Sequence, residues 1–386
     1  MTKYNGIKGR LYPNHAQLQQ IKTTCNHSRF VWNTFLGMLN ERRQNNKSLK
    51  ILSHYDMSCL LTQLKREHPW LKEADSIALQ ETIKRLSLTF ERFFKGVSRY
   101  PRFKSKHRHQ DTFTSSIRKS KGGNNIQFNG NETYIKIPKL GWVKCKMSRK
   151  YIDNSKIKSV TVKPTASGRI AVSVLVESES QTFNQTHNQV GIDFGVSDLV
   201  ITSDGHVHPS QRLHLKYKKQ MIVWERRMAR RRIQAEKRGV PLSEAKNYQK
   251  AKRQVARIHE KIKHSRQDYV HKITTKLVQD YDLIAIEDLK TKNLMKNRNL
   301  AKAIAAQSWR QFRDILSYKC LDHGKVLKIV NPYKTSQVCS HCQYDDGKKA
   351  LHIRKWICPS CHSEHDRDIN AANNILRLGL GQTLVK

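Results

Sequence analysis

Residues 190–202, VGIDFGVSDLVIT, constrain the fold of this chain more than any other stretch. They read as a strand, a Gly-containing turn over 195–198 and a second strand. Asp204-Gly205 then turns the chain into a third strand, Asp-Gly being a strong short-range hairpin signal. Asp193 breaks the pattern. It lies inside an apolar run, on the opposite strand face from Val190 and Ile192. A carboxylate there is costly unless it is paired or holds a cation. Gly191 and Gly195 leave that face bare, so a backbone or a ligand can approach closely. Asp193 either begins a β-turn or binds something, and this stretch alone leaves both readings open.

The bulk composition narrows what could be bound. The chain has 386 residues, enough for two or three domains. It carries 73 Lys+Arg against 31 Asp+Glu, a formal charge of +42. No fold requires that excess, which points to a polyanion partner, most plausibly nucleic acid. Ribosomal and histone-like chains can be as basic, but they are usually shorter and carry no enzyme-like carboxylate sites. No run of 18 apolar residues occurs and the first residues lack the apolar core of a signal peptide. A cytoplasmic protein, nucleoid-associated and without a membrane partner, is expected. Eight cysteines in a reducing compartment favour metal binding over disulfides.

Taken in order, residues 3–12 read as a basic strand ending at Pro13. Asn14 then caps a helix with Leu18, Ile21, Phe30, Val31, Phe35 and Leu39 at helical spacing, an ordinary core stripe. Further helices are expected over 58–66 and 76–95, so 14–97 reads as a helical insert. Its last helix presents Gln80, Lys84 and Arg85 on the polar side. The run 100–109, YPRFKSKHRH, is extended and basic with an aromatic embedded, and is read as contacting phosphates. Short β-like runs over 113–177 suggest an antiparallel barrel, made with strand 3–12 and interrupted by the helical insert. After the hairpin, residues 211–270 hold 19 Lys+Arg and 5 Asp+Glu. The block RRMARRRIQAEKR, with Arg230, Arg231 and Arg232, is read as a nucleic-acid cradle, broken at Gly239-Val-Pro241 into two antiparallel helices. Residues 281–289, YDLIAIEDL, read as a buried strand delivering Glu287 and Asp288 at its carboxyl end, where open α/β sheets place ligands. A single helix is expected over 299–323 and a strand over 325–330.

Two constellations carry chemistry. Cys339-x-x-Cys342 and Cys358-x-x-Cys361 have zinc-ribbon spacing, and two knuckles supply four thiolates for one closed, structural zinc. Cys25, Cys59, Cys145 and Cys320 show no partner pattern and read as packing. The second constellation, HDRDINAANNIL from 365, follows the knuckle directly. Asp368 there either caps the helix that begins at this point or holds a metal. Asp193, Glu287 and Asp368 together, in strand, strand and helix contexts, are what a two-metal phosphodiester hydrolase needs, with two Mg²⁺ ions.

Over nearly its whole length the sequence resembles the TnpB (OrfB) proteins of insertion-sequence transposons, relatives of type V CRISPR nucleases. The resemblance runs through RLYPN, SRFVWN, ALQETIKRLSLTFERFFKG, YPRFKSK, PKLGWVK, GIDFGVSDLVIT, RQDYVHKITTKLV, IEDLK and SQVCSHC…WICPSCHSEHDRDINAANNI, in the family's order. It implies a RuvC-like nuclease domain with an RNase H-type sheet (181–336 and 363–386), interrupted by the zinc ribbon (337–362). A wedge-like β-barrel (1–13 and 98–180) with the helical recognition insert (14–97) precedes it. The family's metal-binding acids fall on Asp193, Glu287 and Asp368, with Asp288 and Asp366 as weaker candidates. By position, Gln80, Lys84, Arg102, Lys104 and Lys106 fall where the family reads a short motif in duplex DNA and holds its guide. The implied partners are a guide RNA from the transposon end and double-stranded target DNA, held by a monomeric protein. The implied activity is Mg-dependent RNA-guided DNA cleavage. A nuclease-inactive RNA-guided repressor and a strand-transfer transposase are the alternatives.

Overall fold

The computed structural model describes residues 2–46, 51–106, 111–120, 123–150, 155–179, 182–350 and 352–384. The end of the basic run, 107–109, lies outside them. The chain divides into two compact units, Met1–Glu179 and Ser180–Lys386. No described helix is long and apolar enough to cross a membrane.

The N-terminal unit opens with β1 (Thr2–Tyr12) and α1 (His15–Asn45). Asn14 caps α1 reciprocally: its side chain accepts from the Gln17 amide at 2.8 Å, and Gln17 returns the bond to the Asn14 amide at 3.1 Å. Next come α2 (His54–Glu67), a 3₁₀ turn (Pro69–Glu73) and α3 (Ser76–Phe94). Val31, Phe35, Leu36, Met57, Leu61, Ile83 and Leu86 close these helices on one another. The strands β2 (Phe113–Ser116), β3 (Lys119–Ser120), β4 (Gly123–Asn124), β5 (Gln127–Phe128), β6 (Tyr134–Ile137), β7 (Gly141–Met147), β8 (Lys156–Pro164) and β9 (Ile170–Glu179) follow. β3 and β4 pair only with each other; the others join β1 in a seven-stranded antiparallel sheet, β2-β8-β9-β1-β7-β6-β5. The alternation of buried and open residues along β9 shows why: one face carries Val172, Val174 and Val176 into the core, against Ile21 and Cys25 of α1. A closed barrel is not formed. No ladder joins β2 to β5 among the described residues, so the sheet is a half-barrel. The outer strands, four and two residues long, offer too few ladder bonds to close it.

The C-terminal unit is built on β10 (Gln189–Asp193), β11 (Asp198–Thr202) and β12 (Val207–Pro209). The short α4 (Leu213–Lys216), then α5 (Lys218–Lys237) and α6 (Lys246–Asp280), lead to β13 (Leu283–Glu287). After it come α7 (Thr291–Leu294), α8 (Ala301–Gln307), α9 (Trp309–His323) and β14 (Val326–Val330). A hairpin of β15 (Lys355–Ile357) and β16 (Glu364–Asp366) precedes α10 (Arg367–Gly379). The sheet order is β12-β11-β10-β13-β14; β12, β11 and β10 run antiparallel, and β10, β13 and β14 run parallel.

Strand alternation gives this sheet two different faces. Val190, Ile192, Ile284 and Ile286 meet α6 and α9 through Val270, Ile273, Leu277, Phe312 and Leu316. Gly191, Asp193, Ala285 and Glu287 point the other way, toward α10. A Cβ on Gly191 would lie 1.9 Å from the Ala372 carbonyl oxygen, and one on Gly379 would lie 2.5 Å from the Ala285 Cβ. Helix α10 therefore lies directly on the backbone of β10 and β13, which only glycine at these contacts allows.

The single helix expected over 299–323 is two helices. Ser308 takes a left-handed conformation (φ 57°) between α8 and α9. The end of α8 is pinned elsewhere: the buried Gln307 amide donates to the Val196 carbonyl at 2.5 Å and to the Ser210 hydroxyl at 2.9 Å. The hairpin that carries Cys358 and Cys361 runs from Lys355 to Asp366.

Candidate active site

Asp193 ends β10 and Glu287 ends β13. The parallel register pairs Ile192 with Ile286, so the two acids leave the sheet side by side at its carboxyl edge, on the same face. Helix α10 crosses that face from Gly379 at Ala285, through Ala372 at Gly191, and its first turn carries Asp368. Asp366, not Asp368, caps α10, accepting from the Asp368 and Ile369 amides at 3.0 and 3.2 Å. Asp368 is thereby released from the capping role.

All three carboxyls are displaced toward their protonated forms. Burial, then the charges of Glu287 and Asp368, push Asp193 up to about 8. Burial raises Glu287 against the opposing Thr335 hydroxyl, which donates to its Oε1 at 2.6 Å. Burial raises Asp368 against Arg354, whose Nη1 sits 3.2 Å from its Oδ1. One buried and two half-buried carboxyls at one sheet edge, each raised toward protonation, could offer oxygen donors to a hard cation. Asp193 and Asp368 line one cavity of about 700 Å³, with Ser197, Arg354 and Arg367 among its walls. Glu287 borders a second, of about 370 Å³, and Phe194 borders both. Asp288, beside Glu287, instead accepts from Arg313.

The cysteine cluster is closed. Sγ of Cys339, Cys342, Cys358 and Cys361 all lie within 4.8 Å of one another. Cys339–Cys361 and Cys342–Cys358 are 3.7 and 3.6 Å apart. Sulfurs about 2.3 Å from a central zinc at tetrahedral corners would stand about 3.8 Å apart, so the donors fit that ion. The Cys361 thiol donates to the Ser363 hydroxyl at 3.3 Å; the side chain and backbone of Ser363 lower the Cys361 pKa, while burial raises that of Cys339. His365 Nε2 lies 3.0 Å from the Cys339 sulfur.

Four residues hold these parts in place, none of which the sequence marked for that role. Thr335 orients Glu287. Arg354 bridges Asp368 and the Ser197 hydroxyl (3.3 Å) of the hairpin turn. Asn370, on the buried side of α10, donates to the Val338 carbonyl at 2.9 Å and accepts from the Ser340 amide at 2.8 Å. Asn374 donates to Thr335 and Val338 carbonyls at 2.9 and 2.7 Å. Two asparagines four apart on a helix's buried face were the visible signal.

The basic candidates separate. Lys104 is partly buried with its Nζ 3.8 Å from the Trp32 ring centroid, and its backbone carbonyl and amide are held by Asn33 at 2.9 and 2.8 Å. Gln80 accepts from Arg118 at 2.5 Å. Lys84, Arg102 and Lys106 are exposed. Arg231 donates to the Asn247 carbonyl at 2.9 Å, tying α5 to α6, and Arg232 pairs with Glu236 at 2.8 Å. Arg230 is exposed, with no ion pair among the described residues.

Known proteins resemble this chain throughout. A family profile described as "Probable transposase" matches residues 171–298, and one described as "Cas12f1-like, TNB domain" matches 309–375. A third, described as "Helix-turn-helix domain", matches 1–48, where the described residues form one strand and one helix. A Streptomyces pristinaespiralis protein named "Putative RNA-guided DNA endonuclease" is 32% identical over 384 residues, covering 97% of this chain and 89% of the relative. The Escherichia coli (strain K12) protein of that name, InsQ, is 30% identical over 397 residues, covering 98% and 93%. The Cas12f1 chain in its cryo-EM complex with sgRNA and target DNA shares the fold at a TM-score of 0.53 and 13% identity, covering 97% of this chain and 98% of that one.

Proposed function

This chain belongs to the TnpB (OrfB) family of transposon-encoded RNA-guided DNA endonucleases. On that premise we propose that it cuts DNA at the cavity holding Asp193 and Asp368, with Glu287 beside it, and that a guide RNA selects the target. The observation that carries the reading is the gathering of three carboxyls, from three distant segments, at one sheet edge, each raised toward protonation. The strand order and the helix on the bare face support a RuvC-like, RNase H-type nuclease domain over 181–336 and 363–386. The half-barrel and its helices (1–180) are read as the wedge and recognition parts, and 337–362 as a zinc ribbon at the target nucleic acid.

Asp193, Glu287 and Asp368 would hold two Mg²⁺ ions. Bound there, the metal would polarise a phosphodiester and supply a nucleophilic water at neutral pH. The residues' own work is orientation. Thr335 fixes one oxygen of Glu287, leaving the other to a ligand. Asp366 holds the α10 terminus so that Asp368 faces the cavity. Arg354 and Arg367 line the same cavity and offer positive charge to a phosphate. Target sequence is read by base pairing to the guide, a division of labour known for another RNA-guided effector. Lys84, Arg102, Lys106 and Arg230 are exposed, which supports reading them as contacts to backbone phosphates; Gln80, Lys104, Arg231 and Arg232 already have protein partners.

The test is direct. The protein is purified with the RNA transcribed from beside its gene and given a supercoiled plasmid carrying the matching target and Mg²⁺. A break at the target is expected, lost in Asp193→Ala. Binding without cutting would favour a guided repressor, and joined donor–target products a strand-transfer transposase.

A further inference from the structure

The cavity at the acids has a wall that the chemistry of the carboxyls leaves unused. Asp193 and Asp368 line it with two arginines, and so do Val196, Leu215 and Leu300. These three come from separate segments: the turn after β10, helix α4, and the residue before α8. Each is an exposed large apolar side chain, at 37, 51 and 41% respectively. A lone exposed leucine is ordinary on a protein surface. Three that open on one cavity form a patch, and such patches mark places where a ligand lies. Gln307 adds a polar group to the same wall. It is 6% exposed, and its Nε2 is committed to the Val196 carbonyl and the Ser210 hydroxyl at 2.5 and 2.9 Å. That leaves its Oε1 as an acceptor with no donor among the described residues. At about 700 Å³ the cavity is in the range that takes a whole small molecule, so it has room for more than a phosphate group.

We propose that this wall is a subsite for one unpaired nucleobase of the DNA strand being cut. A nucleotide has the same division as the cavity: a charged phosphate at one end, and at the other a flat ring with apolar faces and a polar edge. With the phosphate at the acids, the neighbouring base lies against Leu215 and Leu300, and Gln307 accepts a hydrogen from its edge. A base within a duplex has its faces stacked and its edge paired, so the wall takes a base only from a separated strand. The proposal rests on the nuclease reading and deepens it, because the base wall sets how the adjoining linkage is presented to Asp193 and Asp368. A strand held this way loses rate when either the wall or the base is removed, but loses it only once.

The test uses guided cutting of synthetic targets in which a single nucleotide is abasic, moved one position at a time on either side of the cut. The change is made in the strand that does not pair with the guide, so guide pairing and every phosphate are kept. In the unaltered protein one position beside the cut is expected to lower kcat/KM by roughly tenfold. In the double variant Leu215→Ser, Leu300→Ser, the complete strand is cut more slowly by a similar factor, and the abasic nucleotide at that position costs nothing more. Both side chains are exposed, so guide RNA affinity should be unchanged, which checks the fold. Should the double variant bind no guide, the two single variants carry the same comparison. Additive losses at every position, or no position at which removing the base matters, would overturn the subsite and leave the nuclease reading standing. Absence of cutting on the complete strand by the unaltered protein would overturn the nuclease reading and the subsite with it.

Discussion

The carboxyls at the edge of the C-terminal sheet and the four clustered cysteines are both groups of ionisable side chains that could hold a metal, and the chain assembles them in opposite ways. The cysteines come from one stretch, 339–361, and their sulfurs approach to 3.6–3.7 Å, each facing the others. The carboxyls come from residues 193, 287 and 368, two ending parallel strands and one starting a helix, and a cavity of about 700 Å³ opens on two of them. Four protein donors leave a metal no free position, which suits a structural ion. Fewer donors beside open space leave positions for water and substrate, which suits a reactive one. The two are linked through α10. Asn370 and Asn374 tie the segment leading into the cysteine cluster to the helix that carries Asp368, so the closed site helps to place a member of the open one.

Breaking the open site should have the largest effect on activity and almost none on architecture. Asp193→Asn, Glu287→Gln or Asp368→Asn is expected to slow guided cutting by about a thousandfold or more, the loss of several kcal/mol of charge stabilisation. Zinc content, measured by atomic emission, should stay at one ion per chain. A variant that still cut at the normal rate would erase the distinction drawn between the sites.

Breaking the closed site should reverse that pattern. Cys358→Ser is expected to abolish zinc binding and lower thermal stability first. Cutting should then fall by about 10–100-fold, the range seen when a metal site's supporting shell is lost, because Asp368 is left less well placed. Asn370→Ala should reproduce part of the activity loss with zinc still bound. Full activity in both variants would uncouple the ribbon from the acids.

The open site also predicts a pH dependence that the closed one does not. In magnesium-free protein the folded Asp193 keeps its proton up to about 8, whereas an unfolded aspartate loses it near the usual carboxylate value. Between those limits the folded state binds more protons, so stability falls as pH rises from about 4 to about 8. A melting temperature followed across that range in zinc-containing, magnesium-free buffer should decline steadily. Asp193→Asn should flatten the decline, and added Mg²⁺ should remove it. A flat profile in the unaltered protein would mean that Asp193 already has a cationic partner.

The contrast also explains what could be read from the sequence. The three acids stood out because each interrupts an apolar strand or opens a helix, and the cysteines because their spacing is local. The orienting roles of their partners did not. Thr335 and Arg354 reach Glu287 and Asp368 through tertiary contacts that leave no period in the sequence. The break at Ser308 was hidden because its cause, the Gln307 amide bonding to Val196 and Ser210, lies about a hundred residues away. The expected barrel failed to close for a similar reason: alternation marks strands, but closure depends on which distant edges pair, and β5 is only two residues long.

The cations divide along the same line, with the smallest effects expected. The run YPRFKSK and the arginines of α5 look alike in sequence, both basic and both candidates for phosphate contact. Lys104 behaves like the cysteines: burial lowers it to about 8, its ammonium covers the Trp32 ring at 3.8 Å, and Asn33 holds its backbone. Arg230 behaves like the carboxyls, being exposed on α5 with no ion pair among the described residues. Phosphate contacts show themselves as the slope of log affinity against log salt, at about 0.7–0.9 per phosphate. Arg230→Gln is therefore expected to shallow the salt dependence of guide RNA binding by about that amount without lowering the melting temperature. Lys104→Gln should leave the slope unchanged and cost about 0.5–2 kcal/mol of stability through the lost contact with Trp32. If Lys104→Gln instead changed the slope and spared stability, the ammonium would have to leave the ring when RNA binds, and burial would no longer separate structural cations from binding ones.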